Sequence, residues 1–255
     1  MLKFYVGFLS CLAIGVLAGC APVTVTRAQP GEKSDVEPRG RWIRLATHFD
    51  CKIWKPESFP SDLVGWTGAC VNGLAHGHGS LKWSYVRHRD GGLVFDRYQG
   101  PIRNGKLHGE GVFTWASGSR YEGGFVDSGR SGHGAISWAV GGRYEGDWKN
   151  NRRDGQGVRT WPSGDRYEGA YRNDTEHGLG TYYFSNGNRY TGDWLDGQRT
   201  GFGTFKWPSG ASYDGAFLEN QRHGAGVCVE SDGDRGVCQC VRGDCQLIRY
   251  PAGNN

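Results

Sequence analysis

The stretch Arg143-Tyr144-Glu145-Gly146-Asp147-Trp148-Lys149-Asn150-Asn151-Arg152-Arg153-Asp154-Gly155-Gln156-Gly157-Val158-Arg159-Thr160-Trp161-Pro162-Ser163-Gly164-Asp165 decides the fold of this chain. Tyr144, Gly146 and Trp148 are spaced by two, so on a strand they share one face while Glu145 and Asp147 point the other way. A second run places Gly157, Arg159 and Trp161 on one face and Val158 with Thr160 opposite. Other copies of the pattern carry Phe113, Ile136, Tyr182 and Phe205 where Arg159 stands, so that slot is usually apolar. Each period therefore reads as a β-hairpin with an aromatic face and a charged or hydroxylated face. The polar segment 149–156 between the two runs predicts a long hairpin loop. Pro162-Ser163-Gly164-Asp165 predicts a tight turn to the next unit, with proline at the first corner and glycine at positive φ.

The period extends outward in both directions. Tyr98, Tyr121, Tyr144, Tyr167, Tyr190 and Tyr213 stand 23 residues apart without a slip. Glycine recurs two residues after each tyrosine (Gly100 to Gly215) and eleven after it (Gly109 to Gly224). Two further columns lie thirteen on (Gly111 to Gly226) and twenty on (Gly118 to Gly233). An earlier unit has Trp66 in the tyrosine place and keeps Gly68, Gly77 and Gly79 before a short insertion breaks the register. Self-similarity at this period marks a tandem array in which each unit buries its face against its neighbours. Glycine inside a strand is normally a weakness, but a large ring can lie across the missing Cβ.

Arg143-Tyr144-Glu145-Gly146-Asp147-Trp148 and Asp154-Gly155-Gln156-Gly157 closely resemble the MORN repeat, and the likeness recurs in phase from Trp66 to about Asp234. The resemblance implies an all-β fold: an elongated, twisted antiparallel meander built from β-hairpin repeats, a solenoid whose ends its cysteines are expected to cap with disulfides. It also implies binding or assembly, with no catalytic residues in the repeat itself.

Residues 1–20 hold one early cation, Lys3, and an apolar run ending in Leu17-Ala18-Gly19-Cys20, of which 1–19 would be the leader. This is the outline of a signal peptide, too short for the roughly twenty residues of a membrane span. The closing tetrad resembles the bacterial lipobox, which implies a lipid on Cys20. Ala21, in the place after the cysteine, implies passage to the outer membrane, facing the periplasm. Segment 20–41 reads as a flexible tether, 42–65 as an N-terminal cap, 66–234 as seven repeats and 235–255 as a cysteine-rich cap and tail.

With Cys11 lost with the leader and Cys20 lipidated, Cys51, Cys70, Cys228, Cys238, Cys240 and Cys245 remain, an even number near the two ends of the array. Export plus an even count argues for disulfides. Cys51 is expected to pair with Cys70. Cys238 and Cys240 are too close to pair readily with each other and should divide Cys228 and Cys245 between them, in an order the sequence leaves open. The spacing of the last four lacks the C-x2-C knuckles of a zinc site.

His76, His78, His108, His133, His177 and His223 recur near the turns. Successive units lie about 9.6 Å apart, far beyond the roughly 2.0–2.1 Å of a Zn–N bond, so these histidines read as turn residues. Asp232-Gly233-Asp234 fails the calcium-loop pattern, since Gly243 stands where the twelfth-place glutamate belongs. No metal or cofactor is expected. There is no G-x-S-x-G, no H-E-x-x-H and no P-loop, and no room for a separate catalytic domain, so the chain is not expected to be an enzyme.

The formal charge of +4 is small, with 30 Lys and Arg against 26 Asp and Glu. Arg120, Arg143, Arg166 and Arg189 recur beside Glu122, Glu145 and Glu168, which reads as a solvated cross-strand charge ladder and gives no support to electrostatic binding of nucleic acid. The aromatic face is the candidate site. Trp115, Trp138, Trp161 and Trp207 form one column on it. Trp148, Tyr171 and Trp194 form another beside Tyr121, Tyr144, Tyr167 and Tyr190. Most of these rings should be core, with the remainder a groove for docking. The function expected is a lipid-anchored envelope scaffold that binds a protein partner or a second copy. A peptidoglycan-like carbohydrate stacked on the aromatic rows is the alternative.

Overall fold

The computed structural model describes residues 40–48, 50–56, 63–87 and 91–248. The expected leader, Cys20, nearly all of the tether and residues 249–255 of the tail lie outside them. The described chain contains no helix. Its strands are β1 (Gly40–Arg44), β2 (Lys52–Pro56), β3 (Leu63–Trp66), β4 (Ala69–Val71), β5 (Leu74–Val86), β6 (Leu93–Arg103), β7 (Lys106–Leu107), β8 (Gly109–Thr114), β9 (Arg120–Val126) and β10 (Gly129–Ser137). They continue as β11 (Arg143–Lys149), β12 (Arg152–Thr160), β13 (Arg166–Arg172), β14 (Thr175–Tyr183), β15 (Arg189–Leu195), β16 (Gln198–Lys206), β17 (Ser212–Leu218), β18 (Gln221–Val229), β19 (Arg235–Val241) and β20 (Asp244–Ile248). From β8 onward each strand pairs antiparallel with the next, so the chain forms an open meander of repeated hairpins. At the N-terminal end β3 and β4 both pair with β5, and the β1–β2 ribbon joins β5 through a parallel contact of Lys52 with Leu74.

One unit shows why. In β11 and β12, Lys149 pairs with Arg152 around a two-residue turn. Both turn residues have positive φ, 49° at Asn150 and 69° at Asn151. That is the turn whose twist matches the strands, and asparagine tolerates the left-handed conformation. The long loop expected over 149–156 is therefore mostly strand, its residues continuing the hairpin rather than leaving it. The glycine that seemed to close the loop serves a bulge instead. Gly146 faces Gly157 and Trp148 faces Arg153, so Asp147 alone opposes three residues. Gly155 adopts φ 118° there, and Asp147 Oδ2 accepts the Gln156 N–H at 2.8 Å. The inter-unit turn follows the expectation, with Gly164 N donating to Trp161 O at 3.0 Å and Gly164 at φ 92°.

The tyrosine of each unit lies over two glycines. A Cβ built on Gly157 would stand 2.5 Å from Tyr144 Cε2, and one on Gly146 would stand 2.7 Å from the Tyr144 hydroxyl oxygen. The hydroxyl donates to the carbonyl three residues on: Tyr98 to Pro101 at 2.9 Å, Tyr144 to Asp147 at 3.0 Å and Tyr213 to Ala216 at 2.9 Å. Trp66 does the same with an indole. Its ring covers Gly68 and Gly79, and its Nε1–H donates to Ala69 O at 3.0 Å. The irregular first unit thus keeps the packing rule while changing the ring.

Disulfides close both ends. Cys51 pairs with Cys70, a bridge between the segment before β2 and β4. Cys228 pairs with Cys238 and Cys240 with Cys245, which resolves the order that the sequence left open.

Candidate functional site on the aromatic face

Tyr121, Tyr144, Tyr167 and Tyr190 are completely buried, and Trp148, Tyr171 and Trp194 nearly so. Trp115, Trp138, Trp161 and Trp207 are half-buried. The candidate groove residues thus divide into a sealed layer and a partly open row.

The sealed layer is one edge-to-face ladder. It runs Tyr98, Phe125, Tyr121, Trp148, Tyr144, Tyr171, Tyr167, Trp194, Tyr190, Phe217, Tyr213, with centroids 4.8–5.4 Å apart and planes at 72–88°. This is the favoured geometry for ring pairs, since the positive edge of one meets the negative face of the next. Tyr121, Tyr144, Tyr167 and Tyr190 are each flanked by a ring of their own unit and a ring of the following unit, so the face of a single sheet is covered by its own side chains. The tryptophans also tie units together: Trp148 Nε1 donates to Gly134 O at 3.0 Å and Trp194 Nε1 to Gly180 O at 3.2 Å.

The partly open row forms a second, looser ladder. Trp83, Phe113 and Trp115 make one run, and Trp161, Tyr182, Phe184, Phe205 and Trp207 another, with centroids 4.5–5.8 Å apart and planes tilted by 37–54°. Between the runs Arg159 replaces a ring, its guanidinium 5.4 Å from the Trp138 centroid and 4.5 Å from that of Trp161. Each of these half-buried tryptophans thus touches at least one neighbouring ring or guanidinium.

A column that the sequence reading passed over lies against the sealed layer. Nine residues after successive tyrosines stand Arg130, Arg153, Glu176, Arg199 and Arg222. Arg130 lies over Tyr121 and Trp148, at 5.7 and 4.2 Å, and Arg153 over Tyr144 and Tyr171, at 5.6 and 4.8 Å. Arg199 lies over Tyr190 and Phe217, at 5.6 and 5.9 Å, and Arg222 lies over Tyr213 at 5.8 Å. Each guanidinium also clasps the next hairpin turn. Arg130 Nη2 donates to Asn151 O at 2.8 Å, Arg199 Nη2 to Asn220 O at 2.7 Å and Arg222 Nη2 to Gly243 O at 2.6 Å, and Arg153 Nη2 does the same to Asp174 O. In return Asn151, Asp174 and Asn220 accept backbone N–H bonds from the three arginines at 2.9–3.0 Å. Burial pulls the Arg130, Arg159 and Arg199 guanidiniums below their ordinary range. The signal was present in the sequence as four arginines in phase, but it lay in the segment read as loop.

Glu176 breaks that column. It faces Tyr171 across β13 and β14, where the other units pair Trp148 with Arg153, Trp194 with Arg199 and Phe217 with Arg222. Around this break Arg153 Nη1, Arg159 Nε and the Tyr171 hydroxyl are buried without a hydrogen-bond partner among the described residues. Burial, followed by the charge of Glu176, pushes the Tyr171 hydroxyl well up from its ordinary value.

The opposite face is laced with charge. Arg120 pairs with Glu122 at 2.7 Å and Arg143 with Glu145 at 2.8 Å, and Arg166 pairs with Glu168. These pairs lie along one strand rather than across strands as expected, because residues two apart share a face and their side chains meet directly. They are exposed and contribute little each. Of the histidines, His133 lies 3.5 Å from Asp147 and His177 3.6 Å from Asp196.

The geometry defines the class: an open all-β repeat sheet in which each unit is completed by its neighbours. The MORN repeat family model matches residues 70–84, 98–120, 121–143, 144–166, 167–189, 190–212 and 213–235, more than half of the chain. The chain therefore belongs to the MORN-repeat family. A search of curated proteins found no match. Among solved structures it is similar to the TCP domain of SAS-4 from Drosophila melanogaster, solved in complex with a proline-rich motif of Ana2, at 13% identity and a TM-score of 0.36. That likeness covers 61% of this chain and 88% of that one. It is also similar to a point mutant of the TCP10 domain of Danio rerio CPAP, at 12% identity and a TM-score of 0.24, covering 67% and 93%. At these values neither likeness carries an argument.

Proposed function

We propose that this protein is a non-catalytic interaction scaffold of the bacterial cell envelope, held at the outer membrane by lipid on Cys20 and presenting its repeat sheet to a protein partner or a second copy. Family membership supports a binding role. The observation that carries the reading is the break at Glu176: along a face otherwise sealed by rings and guanidiniums, one unit presents a carboxylate beside buried polar atoms that lack partners. The half-buried Glu176 carboxylate puts negative charge where the neighbouring units of this column carry arginine, a local change of sign that a partner can read. The lipid reading is supported by the Leu17-Ala18-Gly19-Cys20 tetrad alone.

The test uses the full chain in a bacterial host. An alkyne-tagged fatty acid is expected to label the wild type and not Cys20→Ala, and envelope crosslinking of the wild type is expected to give a discrete adduct that Glu176→Arg loses. Equal labelling of both proteins, or adducts unchanged by the substitution, would count against the lipid anchor and the docking face respectively.

A further inference from the structure

We propose that the outer face of the last units, the face opposite the rings, is a dimerisation surface on which a second copy of this chain packs with its units running in the same direction. The inference goes beyond the scaffold reading, since it concerns a different face and names the occupant.

Two columns on that face change character along the chain. Five residues after the tyrosine stand Val126, Lys149 and Arg172, then Leu195 and Leu218. Twelve after it stand His133 and Gln156, then Leu179 and Phe202. Leu179 pairs with Asp193 and Phe202 with Ala216, which turns both away from the sealed rings and leaves them 71 and 73% exposed. Leu195, Leu218, Val237 and Val241 continue the exposed apolar surface to β19. The Arg–Glu pairs of the outer face stop in the same place, because Thr191 stands where earlier units carry Glu122, Glu145 and Glu168. The earlier units hold polar side chains in both columns on the same backbone, so the fold itself does not require leucine or phenylalanine there. Exposed apolar surface of this extent marks an interaction site. Six strands at about 4.8 Å, each roughly 20 Å long, give a face of about 600 Å² per partner, enough for a specific interface of the smaller kind.

Charge selects the occupant. Along one rim of the patch Arg189 pairs directly with Lys206. Along the other, the hairpin turns carry exposed Asp196 and Glu219, and Asp196 stays 82% open although His177 lies 3.6 Å away. Further along the chain the signs reverse, with Glu230 and Asp232 on the first rim and Arg242 on the second. A two-fold axis parallel to the run of units exchanges the rims and keeps each unit level with its own copy. Arg189 and Lys206 then stand opposite Asp196 and Glu219, and Glu230 and Asp232 opposite Arg242. An axis along the strands would instead set each rim against itself, like charge against like. The patch is thus self-complementary in one orientation, as an isologous interface requires. An anionic lipid surface would meet Asp196 and Glu219 as well as the cations, and fits the pattern less well.

The test is photocrosslinking of the full chain in bacterial cells, with a benzophenone amino acid in place of Leu179 and two differently tagged copies. The adduct expected has twice the mass of the chain and carries both tags. Phe202→Asp should remove it with Tm unchanged, because that side chain lies outside the core. Lys149→Asp, in the column of Leu195 but outside the patch, should leave it intact. Lys206→Glu should cut its yield about tenfold, and adding Glu219→Lys should restore it, an outcome that only the parallel arrangement predicts and that leaves the apolar residues untouched. Crosslinking at position 179 to lipid or to a different protein, an adduct retained in Phe202→Asp, or failure of the charge rescue would overturn the proposal. Absence of the two-tag adduct alongside an intact Glu176-dependent adduct would remove this surface and leave the scaffold reading standing.

Discussion

A tyrosine laid across two glycines is the smallest unit of this structure, and it accounts for two of the four glycine columns. Any Cβ at Gly157 meets the Tyr144 ring, so Gly157→Ala is expected to lower stability by about 1–3 kcal/mol in chemical denaturation, an overpacking cost. No change would mean that the ring does not rest on that glycine. Burial of the ring has a consequence at high pH. The Tyr121 hydroxyl is pushed up to about 12 by burial, with Arg130 drawing it down and Glu110 adding to the rise. Burial also raises Tyr98, Tyr144, Tyr167 and Tyr190. The folded chain favours the neutral phenol, so stability is full below the ordinary phenol value near 10 and falls as pH rises from there through about 12. Tyrosinate absorbance and loss of sheet circular dichroism should therefore rise together above pH about 10. Ionisation at the free value with the sheet intact would contradict the buried column. The tyrosines and glycines were legible because each column is invariant along the chain. The arginine column is interrupted at Leu107 as well as at Glu176, and went unread because its polar character suggested loop.

At the scale of the hairpin, the error and its cause are specific. Segment 149–156 reads as loop by composition, yet only Asn150 and Asn151 leave the strands. Some charged residues of the segment occupy the solvent side of the sheet and Arg153 lies over the rings, so polarity without an alternation count cannot distinguish a strand from a loop. The bulge hid the alternation further, since Asp147 opposes three residues and shifts the phase of β12 relative to β11. The turn itself was readable in principle from the asparagine pair. Asn151 has two tasks, a left-handed backbone and the Oδ1 acceptor for Arg130 N–H at 2.9 Å. Asn151→Ala is expected to cost about 1–2 kcal/mol, and Asn151→Gly less because it retains the backbone conformation. Equal losses in thermal melts of the two variants would assign the whole effect to the clasp on Arg130 and none to the turn.

At the scale of the whole molecule, the fold class and the in-phase repeats from Tyr98 to Gly233 follow from periodicity, while the arrangement before Tyr98 does not. There β2, β3 and β4 all pair with β5, Thr47 Oγ1 accepts the Trp66 N–H at 3.0 Å and donates to Trp66 O at 2.9 Å, and no period announces these contacts. They depend on side chains meeting across a sequence separation of 19 residues, which pattern reading cannot see. The central claim is that each 23-residue unit is completed only by the units beside it. Excision tests it. Deleting 144–166, one full period, brings Tyr171 to the position beside Tyr121 that Trp148 holds now, and restores every strand pair in phase. Deleting 144–155 removes half a hairpin and destroys the register. Guanidinium unfolding followed by tryptophan fluorescence should show a cooperative transition for the first variant and none for the second. Loss of cooperative folding on removing one complete period would contradict the account.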